Sequence, residues 1–320
     1  MAISEFGLIR RYFADRATSS STVRLGIGDD CAQVIVPEGQ ELVLSIDTMV
    51  ENTHFLPGTP ADLIAARLLA AATSDLAAMG ATPAWFTLAL TLPEADEHWL
   101  EPFAARLAED AARYGLALVG GDTTRGPLAL SIQVHGLVPG QGLQRGGAKP
   151  GDLIAVSGSL GDSRGGLQQL LDHGLAPEQP LQQRFFAPTP RLALGQGVLP
   201  FANSCIDISD GLTADLGHIL TASQVGAELI AKKIPLSGCL REAVGENQAL
   251  DWALSGGEDF ELCFTLPETE LDRLRKVAAE TDTPVSVIGH ITEARDYWLT
   301  YSDGRREAIK ATGFDHFPES

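Results

Sequence analysis

Leu42-Val43-Leu44-Ser45-Ile46-Asp47-Thr48 decides the fold class. Residues 42–46 read as a strand, β-branched at the close, where apolar and polar residues alternate. Ser45 and Asp47 lie one pleat apart on one face, so both can offer oxygens to a single ion. Thr59-Pro60 then supplies a helix start, and the helix runs to about Met79. Gly80 stops it, with Pro83 beyond. A second strand spans 84–92, a helix 94–114, and strands 116–119 and 128–138. A strand that ends in an acidic turn and leads to a helix is a mixed α/β unit.

The pattern recurs further along the chain. Residues 139–152 hold Gly140, Gly142, Gly146, Gly147, Pro150 and Gly151 and read as an interdomain linker. Beyond it come strands at 153–157, 204–208, 260–266 and 285–291, with helices at 163–173, 191–199, 212–223 and 268–280. The domains are therefore 1–140 and 150–320.

Seven short acidic segments punctuate these elements: Gly28-Asp29-Asp30, Ser45-Ile46-Asp47-Thr48, Ser74-Asp75, Gly120-Gly121-Asp122-Thr123, Gly161-Asp162-Ser163, Asp207-Ile208-Ser209-Asp210-Gly211 and Gly256-Gly257-Glu258-Asp259. One Gly-Asp pair alone is ordinary turn chemistry. The set suits hard divalent cations, which want oxygen ligands and accompany polyphosphates.

Asp75 stands out. Its helical neighbours are Ala71, Ala72, Ala78 and Met79, and Leu68 and Ile64 continue the stripe. A carboxylate on such a face needs a cation, donors or a proton. A metal suits it; an ion pair with Arg67 is the alternative. Adjacent Asp29 and Asp30 would repel by about 4 kcal/mol at about 4 Å. One should face the site and the other solvent or a backbone donor. Asp207, Ser209 and Gly211 read as a strand end, and Asp210 as a metal ligand or a helix cap. His54 is a binding residue or simply packed.

Composition sets limits. The 320 residues carry a net charge of −19, which argues against nucleic-acid binding. The four cysteines lack metal spacing and read as reduced, mostly buried thiols. Met1-Ala2-Ile3-Ser4-Glu5-Phe6 has no basic start and no apolar core, so a cytoplasmic protein without a leader is expected. The alanine-rich run 63–72 is broken by Arg67 and too short to span a bilayer. There is no GxxxxGK[ST] loop, and neither a kinase signature nor a GxSxG elbow. Arg145 and Lys149 are the cations placed to meet phosphate.

Assembled, the chain resembles the thiamine-phosphate kinase family of the aminoimidazole ribonucleotide synthetase-like superfamily. The likeness rests on Glu5-Phe6-Gly7-Leu8-Ile9, Gly28-Asp29-Asp30-Cys31-Ala32, Asp47-Thr48 with His54-Phe55, and Ser74-Asp75-Leu76-Ala77-Ala78-Met79-Gly80-Ala81. It continues through Gly120-Gly121-Asp122-Thr123-Thr124, Gly146-Gly147-Ala148-Lys149-Pro150-Gly151-Asp152, Ser157-Gly158-Ser159-Leu160-Gly161-Asp162-Ser163, Asp207-Ile208-Ser209-Asp210-Gly211-Leu212, Gly256-Gly257-Glu258-Asp259-Phe260-Glu261-Leu262 and Gly313-Phe314-Asp315-His316-Phe317.

The resemblance implies ATP-dependent conversion of thiamine monophosphate to thiamine diphosphate on several Mg²⁺ ions. It also implies a homodimer that pairs strands of the N-terminal domain, and a C-terminal α/β domain that closes the site. Carried over by position, Asp30, Ser45, the Ile46 backbone, Asp47, Asp75, Asp122, Asp207 and Asp210 are metal ligands. Gly121, Asp122, Arg145 and Ser209 lie along ATP, and His54, Glu258 and Phe314 meet thiamine monophosphate. No residue is required as a proton carrier. Selenophosphate synthetase is disfavoured, since the N-terminal glycine-rich segment lacks its cysteine. The purine-pathway synthetase resembles the Asp-Thr…His-Phe and Gly-Gly-Glu-Asp segments less. A non-catalytic metal-binding protein on this scaffold is the rival from another class.

Overall fold

The computed structural model describes residues 5–18 and 20–310. The chain divides into two compact units, Met1–Leu76 with Ala81–Gln141, and Ala77–Gly80 with Gly142–Ser320.

The first unit opens with α1 (Glu5–Leu8), a π-helical turn (Ile9–Phe13) and the short pair β1 (Val23–Leu25) and β2 (Gln33–Val34). There follow β3 (Glu41–Val50), α2 (Ala61–Ala78), β4 (Thr82–Leu92), α3 (Glu97–Tyr114), β5 (Ala117–Arg125) and β6 (Ala129–Val138). The last two residues of α2, Ala77 and Ala78, fall to the second unit. The main sheet runs β3-β6-β4-β5, antiparallel except for β4 with β5.

β3 alternates by face, as a half-covered strand must. Val43, Ser45, Asp47 and Met49 are the more buried set, whereas Leu44 and Ile46 are 57% and 62% exposed. The α2 start differs from the reading of Thr59-Pro60. Thr59 spends its hydroxyl on the Leu56 carbonyl (2.8 Å), and the Pro60 carbonyl accepts from Ile64 N–H (3.2 Å), so the helix begins one residue later, at Ala61. Its end is as expected: Gly80 has φ 67°, and Ala81 N–H closes back on the Leu76 carbonyl at 2.9 Å. α3 starts at Glu97 because Asp96 caps it through His98 N–H (2.9 Å).

β5 departs most from its sequence reading. It does not stop before Gly120-Gly121-Asp122 but, after a register shift at Val119, runs through to Arg125 with each residue from Gly120 on paired with β4. Gly121 makes this possible, since a Cβ there would lie 2.0 Å from the Leu88 carbonyl oxygen.

The second unit contains β7 (Leu153–Ser157), α4 (Asp162–His173), α5 (Pro180–Phe186), α6 (Leu192–Val198), β8 (Ser204–Asp207) and α7 (Leu212–Ser223). These are followed by β9 (Gly226–Ile230), α8 (Gly238–Val244), α9 (Glu246–Ser255), β10 (Leu262–Leu266), α10 (Leu271–Glu280), β11 (Val285–Thr292), β12 (Tyr297–Thr300) and β13 (Arg306–Ala308). The seven-stranded sheet runs β13-β12-β9-β11-β7-β10-β8, antiparallel except for β9 with β12.

Both faces of this sheet are covered, so its central strands are apolar without a polar face. Ile154, Val156, Ile206 and Cys263 pack with Leu216 and Ile219 of α7. Ala155, Cys205, Leu262 and Phe264 pack with Leu194, Val198 and Leu274. Full burial of each large side chain contributes about 1.5–3 kcal/mol.

Cys205 and Cys263 are buried, but Cys31 and Cys239 are exposed, contrary to the expectation of mostly buried thiols. Among the described residues no helix is long and apolar enough to cross a membrane.

Candidate active site

In the first unit β3 and α2 build the first constellation. β3 brings Ser45 and Asp47 to one face, and α2 brings Asp75 from a stripe in which Ile64, Leu68 and Ala72 are at most 2% exposed. Ser45 Oγ donates to Asp75 Oδ2 at 2.5 Å. Burial, reinforced by the negative charge of Asp75, lifts Asp47 to a pKa of about 6. Two carboxylates that repel one another, with a hydroxyl between elements, form a hard-oxygen donor set. Among the described residues no three His, Cys, Asp or Glu side chains gather closely enough to hold a metal alone. Mg²⁺ asks for less, since it commonly keeps waters and takes one or two carboxylates plus substrate phosphates. On that count the set fits Mg²⁺.

Ile46 turns its side chain to the exposed face, which leaves only its backbone for the role expected of it. His54 folds back on the end of β3: its Nδ1 accepts from Val50 N–H at 3.0 Å, so the neutral ring carries its proton on Nε2. Arg67, which is buried, donates from Nη1 to the His54 carbonyl at 2.8 Å.

A second constellation in this unit surrounds a cavity of about 880 Å³. Phe6, Arg10, Asp30, Gly121 and Asp122 are among its lining residues. Gly28 turns the chain at φ 125°, and Asp29 accepts from Asp30 N–H at 2.9 Å. One carboxylate of the pair thus takes a backbone donor, one of the two alternatives that charge repulsion left open.

The sheet register separates the two groups. Asp47, Ile132, Leu88 and Gly121 form one cross-strand row, and Thr48, Ser131, Ala89 and Asp122 form the next. Successive rows face opposite sides, so Asp122 and Asp47 lie on opposite faces. They also sit on opposite edge strands, three spacings or about 14 Å apart. Asp47 and Asp122 of one chain are therefore too far apart to ligate the same ion.

In the second unit Asp207 ends β8 and is buried. Ser209 and Asp210 do not extend the strand but form a bend. Nor does Asp210 cap α7. Asp215, inside the first turn, accepts from the N–H groups of Ser209, Asp210 and Gly211 at 3.1, 3.0 and 3.0 Å. Burial lifts Asp215 to about 7, although those bonds oppose the shift.

Glu258 stands in the left-handed region at φ 67°, with its N–H on the Ser209 carbonyl at 2.8 Å. Behind it the carboxylate of Glu261, fully buried, accepts from Ser157 Oγ (2.5 Å), Arg184 (2.7 Å) and the fork of Arg191 (2.6 Å twice). Arg145 is exposed. Its glycine-rich loop is docked by Ser223 Oγ, which accepts from Gly147 and Ala148 N–H at 3.1 Å each. Gly161-Asp162-Ser163 serves structure, since Asp162 accepts from Ser159 Oγ (2.5 Å) and Ser237 Oγ (2.6 Å). Phe314 lies outside the described residues.

Sequence reasoning missed Asp215, Glu261, Arg184 and Arg191. Glu261 was within a quoted segment. Its arginines are 77 and 70 residues away and carry no local signal.

The domain "AIR synthase related protein, N-terminal domain" matches residues 28–138, and its C-terminal counterpart matches 149–302. The chain is 48% identical to the thiamine-monophosphate kinase of Escherichia coli strain K12, over 99% of each. It is similar to the crystal structure of thiamine-monophosphate kinase from Stenotrophomonas maltophilia K279a, with TM-score 0.87 and 43% identity over 95% of this chain and 98% of that one. It is also similar to AaThiL complexed with AMPPCP and TMP, with TM-score 0.78 and 32% identity over 98% and 97% of the two chains.

Proposed function

Because this chain belongs to the AIR synthase related family, on its thiamine-monophosphate kinase branch, we propose that it phosphorylates thiamine monophosphate with ATP, giving thiamine diphosphate and ADP. The near-complete alignment with the Escherichia coli enzyme carries this reading. The likeness to a structure holding AMPPCP and TMP supports ATP and thiamine monophosphate as the two substrates.

The acceptor is a phosphate monoester already ionised at neutral pH, so it needs no general base. Its oxygen bonds to the γ-phosphorus as the bond to the β–γ bridging oxygen breaks, and ADP leaves with that oxygen. The obstacle is the approach of one polyanion to another. Mg²⁺ bound by Asp30, Ser45, the Ile46 carbonyl, Asp47, Asp75, Asp122, Asp207 and Asp210 would supply charge neutralisation and in-line alignment. The separation of Asp47 from Asp122 calls for more than one ion. Asp47 and Asp75 supply negative charge at a half-buried position, where it counts for more than in water. Gly121, Asp122, Arg145 and Ser209 contact ATP. His54, Glu258 and Phe314 hold thiamine monophosphate, a carboxylate and an aromatic ring being residue types that suit its cationic thiazolium.

The exposed apolar residues Leu42, Leu44 and Ile46 on edge strand β3 support a homodimer joined through this unit. A cytoplasmic location accords with the substrates.

Phosphorus NMR of ATP with thiamine monophosphate, with and without Mg²⁺, tests the reading. Resonances of ADP and thiamine diphosphate should grow together only when Mg²⁺ is present. Loss of ATP to ADP and inorganic phosphate alone would overturn it.

A further inference from the structure

Segments 208–211 and 256–261 continue the β8–β10 ladder irregularly. Ile208 N–H donates to the Glu261 carbonyl (2.7 Å), Phe260 N–H to Ile208 (2.9 Å) and Glu258 N–H to Ser209 (2.8 Å). The cost is two non-glycine residues at positive φ, Glu258 at 67° and Phe260 at 51°. Such backbone persists only where its surroundings over-determine it. Gly257 leaves no slack, because a Cβ there would lie 2.3 Å from the Ser209 carbonyl oxygen.

Each segment is tied to a different helix by one buried aspartate. Asp215 of α7, 2% exposed, collects the three N–H groups of Ser209, Asp210 and Gly211. Asp259, 1% exposed, reaches the start of α4 and accepts from Gly161 N–H (2.6 Å) and Ser163 N–H (3.0 Å). Glu261, clamped by two arginines, fixes the far end of the second segment.

We propose that Asp215 and Asp259 are positioning residues with divided duties: Asp215 sets the Ser209–Asp210 loop for the nucleotide, and Asp259 sets Glu258 for the acceptor. This rests on the roles proposed above for Ser209, Asp210 and Glu258. Neither aspartate needs to touch a substrate. Asp259 uses both carboxylate oxygens, so an asparagine there keeps the size but replaces one acceptor by a donor. Asp215 gathers its three N–H groups on Oδ2 alone, so an asparagine there can keep an acceptor oxygen in place but removes the charge. In both cases the anchored loop loosens.

The test is steady-state kinetics of the unaltered enzyme, Asp215→Asn and Asp259→Asn, with ATP and thiamine monophosphate varied in turn. Loss of charge-assisted bonds predicts that Asp259→Asn raises KM for thiamine monophosphate about tenfold or more and leaves KM for ATP within about twofold. Asp215→Asn should do the reverse. A purely structural role would lower Tm and move both constants together, and that result, or unchanged constants, overturns the proposal. If either variant fails to fold, Asp215→Glu and Asp259→Glu keep the charge while displacing the loop, and the same split is expected.

Amide hydrogen exchange reads the anchoring without any substrate. Exchange should quicken in 256–261 for Asp259→Asn and in 208–211 for Asp215→Asn. Uniform quickening overturns the proposal. An unaltered enzyme that makes no thiamine diphosphate would instead refute the function itself, which this exchange pattern does not depend on.

Discussion

Ser45 donates its hydroxyl to Asp75 across the gap between β3 and α2, Oγ to Oδ2 at 2.5 Å. The contact fixes one lone pair of a carboxylate that emerges from an alanine-rich helix face, and it sets Asp75 beside Asp47. Asp75→Asn should therefore cut kcat severely at every thiamine monophosphate concentration, whereas Ser45→Ala should cost about 1–3 kcal/mol of transition-state stabilisation. Phe314→Ala should chiefly raise KM for thiamine monophosphate. Initial rates with Mg²⁺ in excess check all three, and near-normal turnover of Asp75→Asn would remove its assigned metal role.

Gly121→Ala places a methyl group 2.0 Å from the Leu88 carbonyl oxygen, inside the parallel β4–β5 pairing. Backbone cannot yield as a side chain can. Overpacking of this kind costs about 1–3 kcal/mol or more, so the urea midpoint should fall and nucleotide affinity with it. An unchanged midpoint would show that the pairing is looser than drawn.

Glu261 holds Arg184 and Arg191 in a dry setting. Glu261→Ala strands two guanidinium groups and should lower stability by about 3–5 kcal/mol. The triple variant Glu261→Met, Arg184→Met, Arg191→Met should recover much of that loss, since no charge is then buried unpaired. Equilibrium denaturation of the two proteins measures the difference.

Burial raises Asp259 to a pKa of about 7, above its unfolded value. The folded state then binds the proton more tightly than the unfolded chain. The stabilisation this gives is complete below about pH 4 and is lost as pH rises to about 7. Asp259→Asn lacks this titration. The Tm of the unaltered protein minus that of the variant should fall between about pH 4 and 7, and a flat difference would contradict the shift.

Removing divalent cations with EDTA should abolish thiamine diphosphate formation and leave far-UV circular dichroism unchanged, because apolar side chains pack the core of the second unit's sheet. Restoring Mg²⁺ should restore the rate. Collapse of the circular dichroism on chelation would mean that the cations build the fold.

Elements with a strong local pattern were legible in the chain itself. β7 and α7 lie where their sequence places them, and Gly80 and Gly115 end helices at positive φ, because period, caps and glycine freedom act over a few residues. β9, β12, β13, α5, α8 and α9 were not read from the sequence. Gly120-Gly121-Asp122 looked like a turn because glycine signals one locally. Pairing with β4 made it strand, and no local signal carries that contact.

The acidic segments, their order and hence the family are determined by the sequence, since covalent spacing is written there. Which carboxylates meet was left to the tertiary structure. β3 register and α2 packing put Asp75 with Ser45, while sheet order puts Asp122 on the far edge and opposite face from Asp47. Two buried helix starts recruited Asp215 and Asp259 for their unpaired N–H groups. These are long-range choices, made by burial and by the need to satisfy every buried donor, and a linear chain does not display them.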